Sequence, residues 1–208
     1  GFPESSYSWR HQMPLLAELG YRVWAPDLRG YGETTRPPRV QDYAIETLMD
    51  DVAALIDASG SRSVTLIAHD WGAVIAWHFA MRRIRPLERL VILNAPHPAA
   101  AADAFRTWKQ LRRSWYAFFF QLPWLPELLL RAGNYRAIGE GMRRTSVHPE
   151  RFPDDALTLE TTRGTDRYVA DLTFRVLSDA SHWVQQDDPD TVNRMLRAWL
   201  TGAEVPQV

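Results

Sequence analysis

The spacing of hydrophobic positions in the first half of the chain predicts helices that alternate with strands. Residues 44–59 carry apolar side chains every three or four positions, which is typical of an amphipathic helix, and Gly60 suits its end. Residues 63–68 are almost all apolar, as expected for a strand buried in a parallel sheet. A second helix over residues 72–83 and a second strand over residues 90–93 follow.

Two further strands and a helical insertion complete the predicted fold. Residues 21–26 form a β-rich run before a glycine-containing loop, and residues 172–177 form another near the end of the chain. Between them, residues 99–164 hold few strand signals but many helix formers and aromatic side chains, which indicates a helical insertion. A last helix is expected over residues 189–200. This alternation predicts an α/β fold.

Composition excludes several classes of function. The 24 basic and 25 acidic residues nearly cancel, whereas a nucleic-acid-binding protein should be clearly basic. The chain has no cysteine, so disulfides, thiolate nucleophiles and cysteine-ligated metals are excluded. No apolar run reaches the roughly 18 residues of a membrane span, and no signal peptide is visible. We therefore expect a cytoplasmic location. No spacing suggests a metal or a dinucleotide, so we expect no cofactor.

The candidate nucleophile lies in the segment Ala68-His-Asp-Trp-Gly72, which joins a predicted strand to a helix with almost no loop. That context is a nucleophile elbow, and the residue at its tip is Asp70. A carboxylate that attacks a saturated carbon forms an ester that water can hydrolyse, whereas a serine would form an inert ether. Gly72 is expected to let the helix pack close to the strand. The alternative is that Asp70 merely caps the following helix.

The candidate base is His182, which follows the last predicted strand. A base that comes after its nucleophile fits the chain order of hydrolases with an elbow. A neutral imidazole there would take a proton from the water that hydrolyses the ester. His69, next to the nucleophile, is expected to pack or form hydrogen bonds behind the elbow.

Four motifs, in this order, resemble the epoxide hydrolases of the α/β-hydrolase fold. They are Gly1-Phe-Pro-Glu-Ser-Ser-Tyr-Ser-Trp-Arg-His-Gln12, Ala25-Pro-Asp-Leu-Arg-Gly-Tyr-Gly32, His69-Asp-Trp-Gly72 and Ser181-His-Trp183. The resemblance implies a mostly parallel sheet flanked by helices, with residues 1–98 and 165–208 as the core and residues 99–164 as a helical cap. It also implies conversion of an epoxide and water into a vicinal diol.

The resemblance implies roles for further residues. The backbone N–H groups of Phe2 and Trp71 would form the oxyanion hole, and Tyr116 would donate a hydrogen bond to the epoxide oxygen. The alternative for Tyr116 is a core tyrosine in an aromatic stripe of the helical insertion. The expected substrate pocket holds Phe2, Trp71, Trp115, Phe119, His97 and Trp183. Its aromatic character predicts a small hydrophobic epoxide as substrate, bound by a monomer or a homodimer.

Parts of the family pattern are missing from the chain. No residue matches the triad acid or the second cap tyrosine, and Asn94 stands where some related hydrolases carry the acid. We expect that the chain lacks an internal segment near residues 160–165 and the strands before Gly1. Two alternatives therefore stay open: a haloalkane or haloacid dehalogenase of the same fold, and an inactive, incomplete hydrolase fragment.

Overall fold

The computed structural model describes residues 1–2, 4–107, 112, 119, 122, 124–132, 134, 136, 167–177 and 180–207. The chain divides into two compact units, of which the first is Gly1–Ala95 with Val184–Gln207 and the second is Pro96–Trp183. The assignment of residues 99–164 to a cap and of the remainder to a core stays a prediction.

The first unit contains two strands and most of the described helices. In chain order its elements are α1 (Gln12–Glu18), α2 (Ile45–Ser59), β1 (Thr65–His69), α3 (Asp70–Met81), β2 (Arg89–Leu93), α6 (Val184–Asp187) and α7 (Pro189–Thr201). The second unit contains α4 (Pro98–Ala104) and α5 (Leu125–Ala132). Within the described residues, no helix has the length and apolar character needed to cross a bilayer.

Helices α2 and α7 begin and end close to the residues predicted from local signals. α2 ends at Ser59 because Gly60 adopts a left-handed conformation with φ of 64°. α7 begins at Pro189, where the Asp188 side chain accepts a hydrogen bond from the Thr191 N–H at 3.2 Å. Gly202, also left-handed, ends this helix.

Strands β1 and β2 form a parallel pair joined through α3. Thr65 pairs with Arg89 at one end of the ladder and His69 pairs with Leu93 at the other. In a parallel pair both strands end at the same edge of the sheet. The residues that follow, Asp70 and Asn94, therefore leave the sheet at this shared edge.

An apolar cluster lies between α2 and α3. It consists of Met49 and Ala53 from α2 with Ile75 and Phe79 from α3, all at most 6% exposed. Phe79 is fully buried. Burial of these side chains fixes α3 on α2, and α3 in turn begins at the candidate nucleophile.

Two predicted strands are wrong. Residues 21–26 and 172–177 have no regular secondary structure, and neither segment pairs with a strand among the described residues. A strand is defined by backbone hydrogen bonds to a neighbour, and local β propensity does not supply one. The described sheet therefore has two strands.

The loop after residues 21–26 is held in place by side chains. The Asp27 carboxylate accepts a hydrogen bond from the Ser6 N–H at 2.6 Å. Gly32, with φ of 48°, approaches Asp27 so closely that an added Cβ would lie 1.9 Å from Oδ2. Arg29 ties the same loop to α2 through two hydrogen bonds of 2.6 Å to Asp51.

Candidate active site

The junction of β1 and α3 is a sharp turn with no intervening loop. His69 is the last residue of β1, and Asp70 is the first residue of α3. Asp70 has φ of 50°, a left-handed conformation that is unfavourable for residues other than glycine. Backbone strain of this kind is typical of functional sites and of the nucleophile elbow in particular. The geometry therefore agrees with the elbow predicted from the sequence.

The amino-terminal segment lies directly against Asp70. The Phe2 N–H donates a hydrogen bond of 2.8 Å to Asp70 Oδ1. A Cβ added to Gly1 would lie 2.3 Å from Asp70 Cβ, so only glycine fits at this position. Capping of α3 by Asp70 does not explain a contact with a segment so remote in sequence. A main-chain donor thus reaches the carboxylate, as the resemblance implies.

The start of α3 offers further electrostatic support for charge at Asp70. The first N–H groups of a helix have no acceptor within the helix, and that of Trp71 is among them. The positive end of the helix dipole stabilises negative charge at the same place. The Trp71 side chain is 58% exposed. The role of the Trp71 N–H in the oxyanion hole stays a prediction.

Two residues near Asp70 have properties that the sequence patterns did not reveal. Asn94 leaves the sheet at the same edge and, with φ of 49°, adopts the same left-handed conformation as Asp70. Tyr31 lies close enough to interact with the Asp70 charge. Burial first, and then that charge, raises the pKa of the Tyr31 phenol, which keeps it protonated.

A buried polar cluster lies behind the elbow, formed by Glu4, Gln12, His69 and Gln185. His69 Nδ1 is 3.0 Å from Glu4 Oε2, and both side chains are at most 2% exposed. The expectation that His69 forms a hydrogen bond behind the elbow is therefore confirmed. Glu4 was not singled out from the sequence. Two sequence features could have identified it: a carboxylate two residues after the oxyanion donor Phe2, and a histidine at the end of a largely apolar strand that could bind it.

An apolar cavity of about 360 Å³ runs along β1 and residues 21–28. Gly72 lines it, and a Cβ added there would meet nothing within 4 Å. The expectation that Gly72 permits close packing of α3 is therefore wrong, because the space beside it is open. Of the expected pocket residues that the structure describes, Trp71 lines this cavity, whereas Phe2, His97, Phe119 and Trp183 do not.

Comparisons with known proteins identify the family. A family model described as the alpha/beta hydrolase fold matches residues 1–136. Epoxide hydrolase 4 of Homo sapiens is 31% identical over 96% of this chain and 70% of its own length, and epoxide hydrolase 3 of Xenopus tropicalis is 31% identical over 96% and 69%.

The chain belongs to the epoxide hydrolase family of α/β hydrolases. A solved structure supports the assignment: a mutant epoxide hydrolase from Bacillus megaterium, complexed with its naphthyloxy-propane-1,2-diol product. It is 25% identical, covers 97% of this chain and 91% of its own, and has a TM-score of 0.81. The predicted fold class and enzyme class are thereby confirmed.

The alignments to other epoxide hydrolases also bear on the missing internal segment. They extend over 256 and 255 residues, which is more than the 208 residues of the whole chain. These relatives therefore carry residues inside the matched region for which this chain has no counterpart. This result agrees with the expectation that the chain lacks internal residues that its relatives have, and their position near residues 160–165 stays a prediction.

The other expected catalytic residues of an epoxide hydrolase lie in the second unit. His182 is half-buried, and its ring meets that of Trp183 edge to face, with centroids 4.8 Å apart. The Trp183 N–H donates a hydrogen bond to Ser181 Oγ at 3.1 Å. Tyr116 lies outside the described residues. The roles of His182 and Tyr116 stay predictions.

The remaining expected pocket residues also belong to the second unit. His97 is buried and caps α4, since its Nδ1 accepts a hydrogen bond from the Ala99 N–H at 3.2 Å. Its ring stacks on Tyr168 with centroids 5.0 Å apart. Phe119 has a helical backbone conformation and is half-buried. Trp115 lies outside the described residues, and the pocket as a whole stays a prediction.

Proposed function

We propose that the chain converts an epoxide and water into a vicinal diol through a covalent ester on Asp70. The observation that carries this proposal is the hydrogen bond from the Phe2 N–H to Asp70 Oδ1 at the strained elbow. A donor fixed on a carboxylate oxygen orients the nucleophile. The same donor can stabilise the oxyanion when the ester is hydrolysed.

In the first step the Asp70 carboxylate attacks a carbon of the epoxide ring. The carbon–oxygen bond of the ring breaks, and the oxygen takes a proton from Tyr116. The products of this step are a hydroxyalkyl ester on Asp70 and a tyrosinate. Donation by a phenol lowers the barrier because the departing oxygen otherwise leaves as an alkoxide.

In the second step His182 takes a proton from water, and the hydroxide attacks the ester carbonyl carbon of Asp70. The resulting oxyanion is stabilised by the N–H groups of Phe2 and Trp71. Collapse of the intermediate breaks its bond to the alkoxide oxygen, which takes the proton of the added hydroxyl, so that the diol leaves and the Asp70 carboxylate is restored. Proton return from His182 to Tyr116 completes the cycle, and neither step uses a cofactor or metal.

The proposed substrate is a small hydrophobic epoxide. The aromatic residues of the expected pocket support this class, and the product in the Bacillus megaterium complex is an aromatic diol. A cytoplasmic location and a monomeric or homodimeric state stay predictions.

Oxygen-18 labelling in a single turnover tests the covalent mechanism. With enzyme in excess over styrene oxide in labelled water, the ester route places one labelled oxygen in Asp70 and leaves the first diol unlabelled. Peptide mass spectrometry measures the label in Asp70, and mass analysis of the product measures the label in the diol.

The matched control is Asp70→Asn, which keeps the shape of the side chain but removes the nucleophile. Early turnover should fall by a factor on the order of 10⁶, the loss that follows removal of a covalent nucleophile in a comparable hydrolase. Label found only in the first diol, or diol formation that survives this substitution, would contradict the proposed mechanism.

A further inference from the structure

The buried polar cluster lies immediately behind the contact between Phe2 and Asp70. All four of its side chains belong to residues that are at most 7% exposed, and Gln12 and Gln185 are fully buried. Burial of a carboxylate and three other polar groups is unfavourable unless they bind one another. Their arrangement is therefore specific, and the question is which geometry it maintains.

Glu4 is the acceptor on which the cluster converges. His69 Nδ1 lies 3.0 Å from Glu4 Oε2, and the tautomer with its proton on Nδ1 donates to this carboxylate. The Gln185 amide donates to both Glu4 oxygens at 3.2 and 3.4 Å, and the Gln186 amide donates to Oε1. The Gln12 side-chain amide donates to the main-chain carbonyl of Gln185 at 2.9 Å, which ties α1 to this group.

The spacing along the chain relates this cluster to the oxyanion donor. Glu4 follows Phe2 by two residues, and His69 precedes Asp70 by one. The Glu4 N–H donates to the Gly1 carbonyl at 2.8 Å, which closes a turn around Phe2. Two contacts, Phe2 with Asp70 and Glu4 with His69, therefore connect the same two segments. One is a single hydrogen bond at the site, and the other is a buried contact behind it.

We propose that Glu4 and His69 are positioning residues that hold the Phe2 N–H in place against Asp70. This inference rests on the proposed function, because it concerns the hydrolysis of the Asp70 ester. The Phe2 N–H binds the Asp70 carboxylate before alkylation. Its hydrogen bond becomes strongest when negative charge concentrates on one oxygen during hydrolysis of the ester. Loss of the Glu4–His69 contact therefore slows ester hydrolysis more than ester formation.

The experiment measures the two steps separately with the full chain. Styrene oxide is mixed with excess enzyme, the reaction is quenched at intervals, and intact mass spectrometry follows the ester adduct. In Glu4→Ala, ester hydrolysis should slow roughly 10- to 100-fold, the effect of a catalytic group displaced by about 1 Å, so that the adduct accumulates. Glu4→Gln keeps an oxygen that accepts from His69 and should hydrolyse the ester faster than Glu4→Ala.

A second pair of variants keeps the test decisive if Glu4→Ala does not fold. His69→Asn retains an amide N–H close to the position of Nδ1, whereas His69→Leu has no donor. The adduct should therefore accumulate more in His69→Leu than in His69→Asn. Met49→Ala, in the apolar cluster, is the control for a merely less stable protein and should keep the wild-type ratio of the two rates.

The outcomes separate this inference from the proposed function. If wild-type enzyme forms and hydrolyses the ester, but the Glu4 and His69 variants slow both steps equally or behave like Met49→Ala, the inference is wrong and the function stands. Equal rates in Glu4→Gln and Glu4→Ala would also overturn it. If wild-type enzyme makes diol without any Asp70 adduct, the proposed mechanism and the inference are wrong together.

Discussion

Helix α3 lies between two different clusters of buried side chains. Along its length it contributes Ile75 and Phe79 to an apolar cluster, and directly before its first residue lies His69, which belongs to the buried polar cluster. The apolar cluster of Met49, Ala53, Ile75 and Phe79 offers no functional group. The polar cluster around Glu4 and His69 is equally buried and places its groups one residue from Asp70. Apolar burial stabilises the helix against unfolding, whereas buried polar contacts fix directions and distances. Substitutions in the first cluster should therefore lower stability, and substitutions beside the second should lower rate.

The largest expected effect on stability is that of Phe79→Ala. Phe79 is fully buried between α2 and α3, so its truncation leaves a cavity. The free energy of unfolding should fall by about 3–5 kcal/mol, measured by urea denaturation. Turnover per folded molecule should be unchanged, because the side chain does not contact the elbow. A lower kcat in the fully folded variant would show that the two clusters are not separate in their effects.

The two glycines beside the elbow, Gly1 and Gly72, provide a matched comparison, because one substitution should lower activity and the other should raise stability. A Cβ on Gly1 would lie 2.3 Å from Asp70 Cβ, whereas a Cβ on Gly72 would meet nothing within 4 Å. Gly1→Ala should displace Asp70 and lower kcat about 100-fold, with little change in the melting temperature. Gly72→Ala should raise the free energy of unfolding by up to about 1 kcal/mol, because alanine favours the helix.

Kinetic and thermal measurements on both variants decide this comparison. Equal losses of kcat in Gly1→Ala and Gly72→Ala would contradict it, since only the first substitution meets Asp70 in the structure.

The smallest effect is expected at Asp57, whose side chain lies on the exposed side of α2 and outside both clusters. Two hydrogen bonds from Arg85, of 2.9 and 2.8 Å, hold the pKa of the Asp57 carboxyl below its ordinary value. A lowered pKa in the folded state contributes stability above the ordinary pKa, and that contribution is lost as pH falls through the lowered value. Because the pair is exposed, Asp57→Asn should barely change the melting temperature at pH 7.

Melting temperatures of wild type and Asp57→Asn, compared from pH 7 down to pH 2, check this prediction. Their small difference should disappear at the acid end. A large difference at neutral pH would mean that surface pairs stabilise this unit as strongly as its apolar cluster does.

Elements whose signals are local could be predicted from the sequence. Gly60 and Gly202 end α2 and α7 through their own backbone freedom, and Asp188 with Pro189 begins α7. Residues 21–26 and 172–177 were predicted wrongly because a strand requires a partner, which a β-rich run does not reveal. The close packing expected at Gly72 was predicted wrongly for the same reason, because it depends on neighbours that are distant in the sequence.

The candidate site divides along similar lines. Asp70 was found because the elbow is a local feature: a buried strand, a tight turn and a helix in consecutive residues. The hydrogen bond from Phe2 was expected only through the family resemblance. Glu4 was missed because its role depends on a histidine 65 positions away, which the fold brings to 3.0 Å. Local patterns predict which residue is strained, whereas only the fold shows which residues support it.

The parallel register of β1 and β2 has a consequence for how this site can change. His69 pairs with Leu93, so the next residues, Asp70 and Asn94, leave adjacent strands with φ of 50° and 49°. The main chain thus repeats one strained conformation on neighbouring strands, and only one of the two positions carries an acid. A new charge at this edge of the sheet would require the exchange of a single side chain and no new backbone. The fold thereby permits the chemistry of the site to be redesigned without a redesign of its architecture.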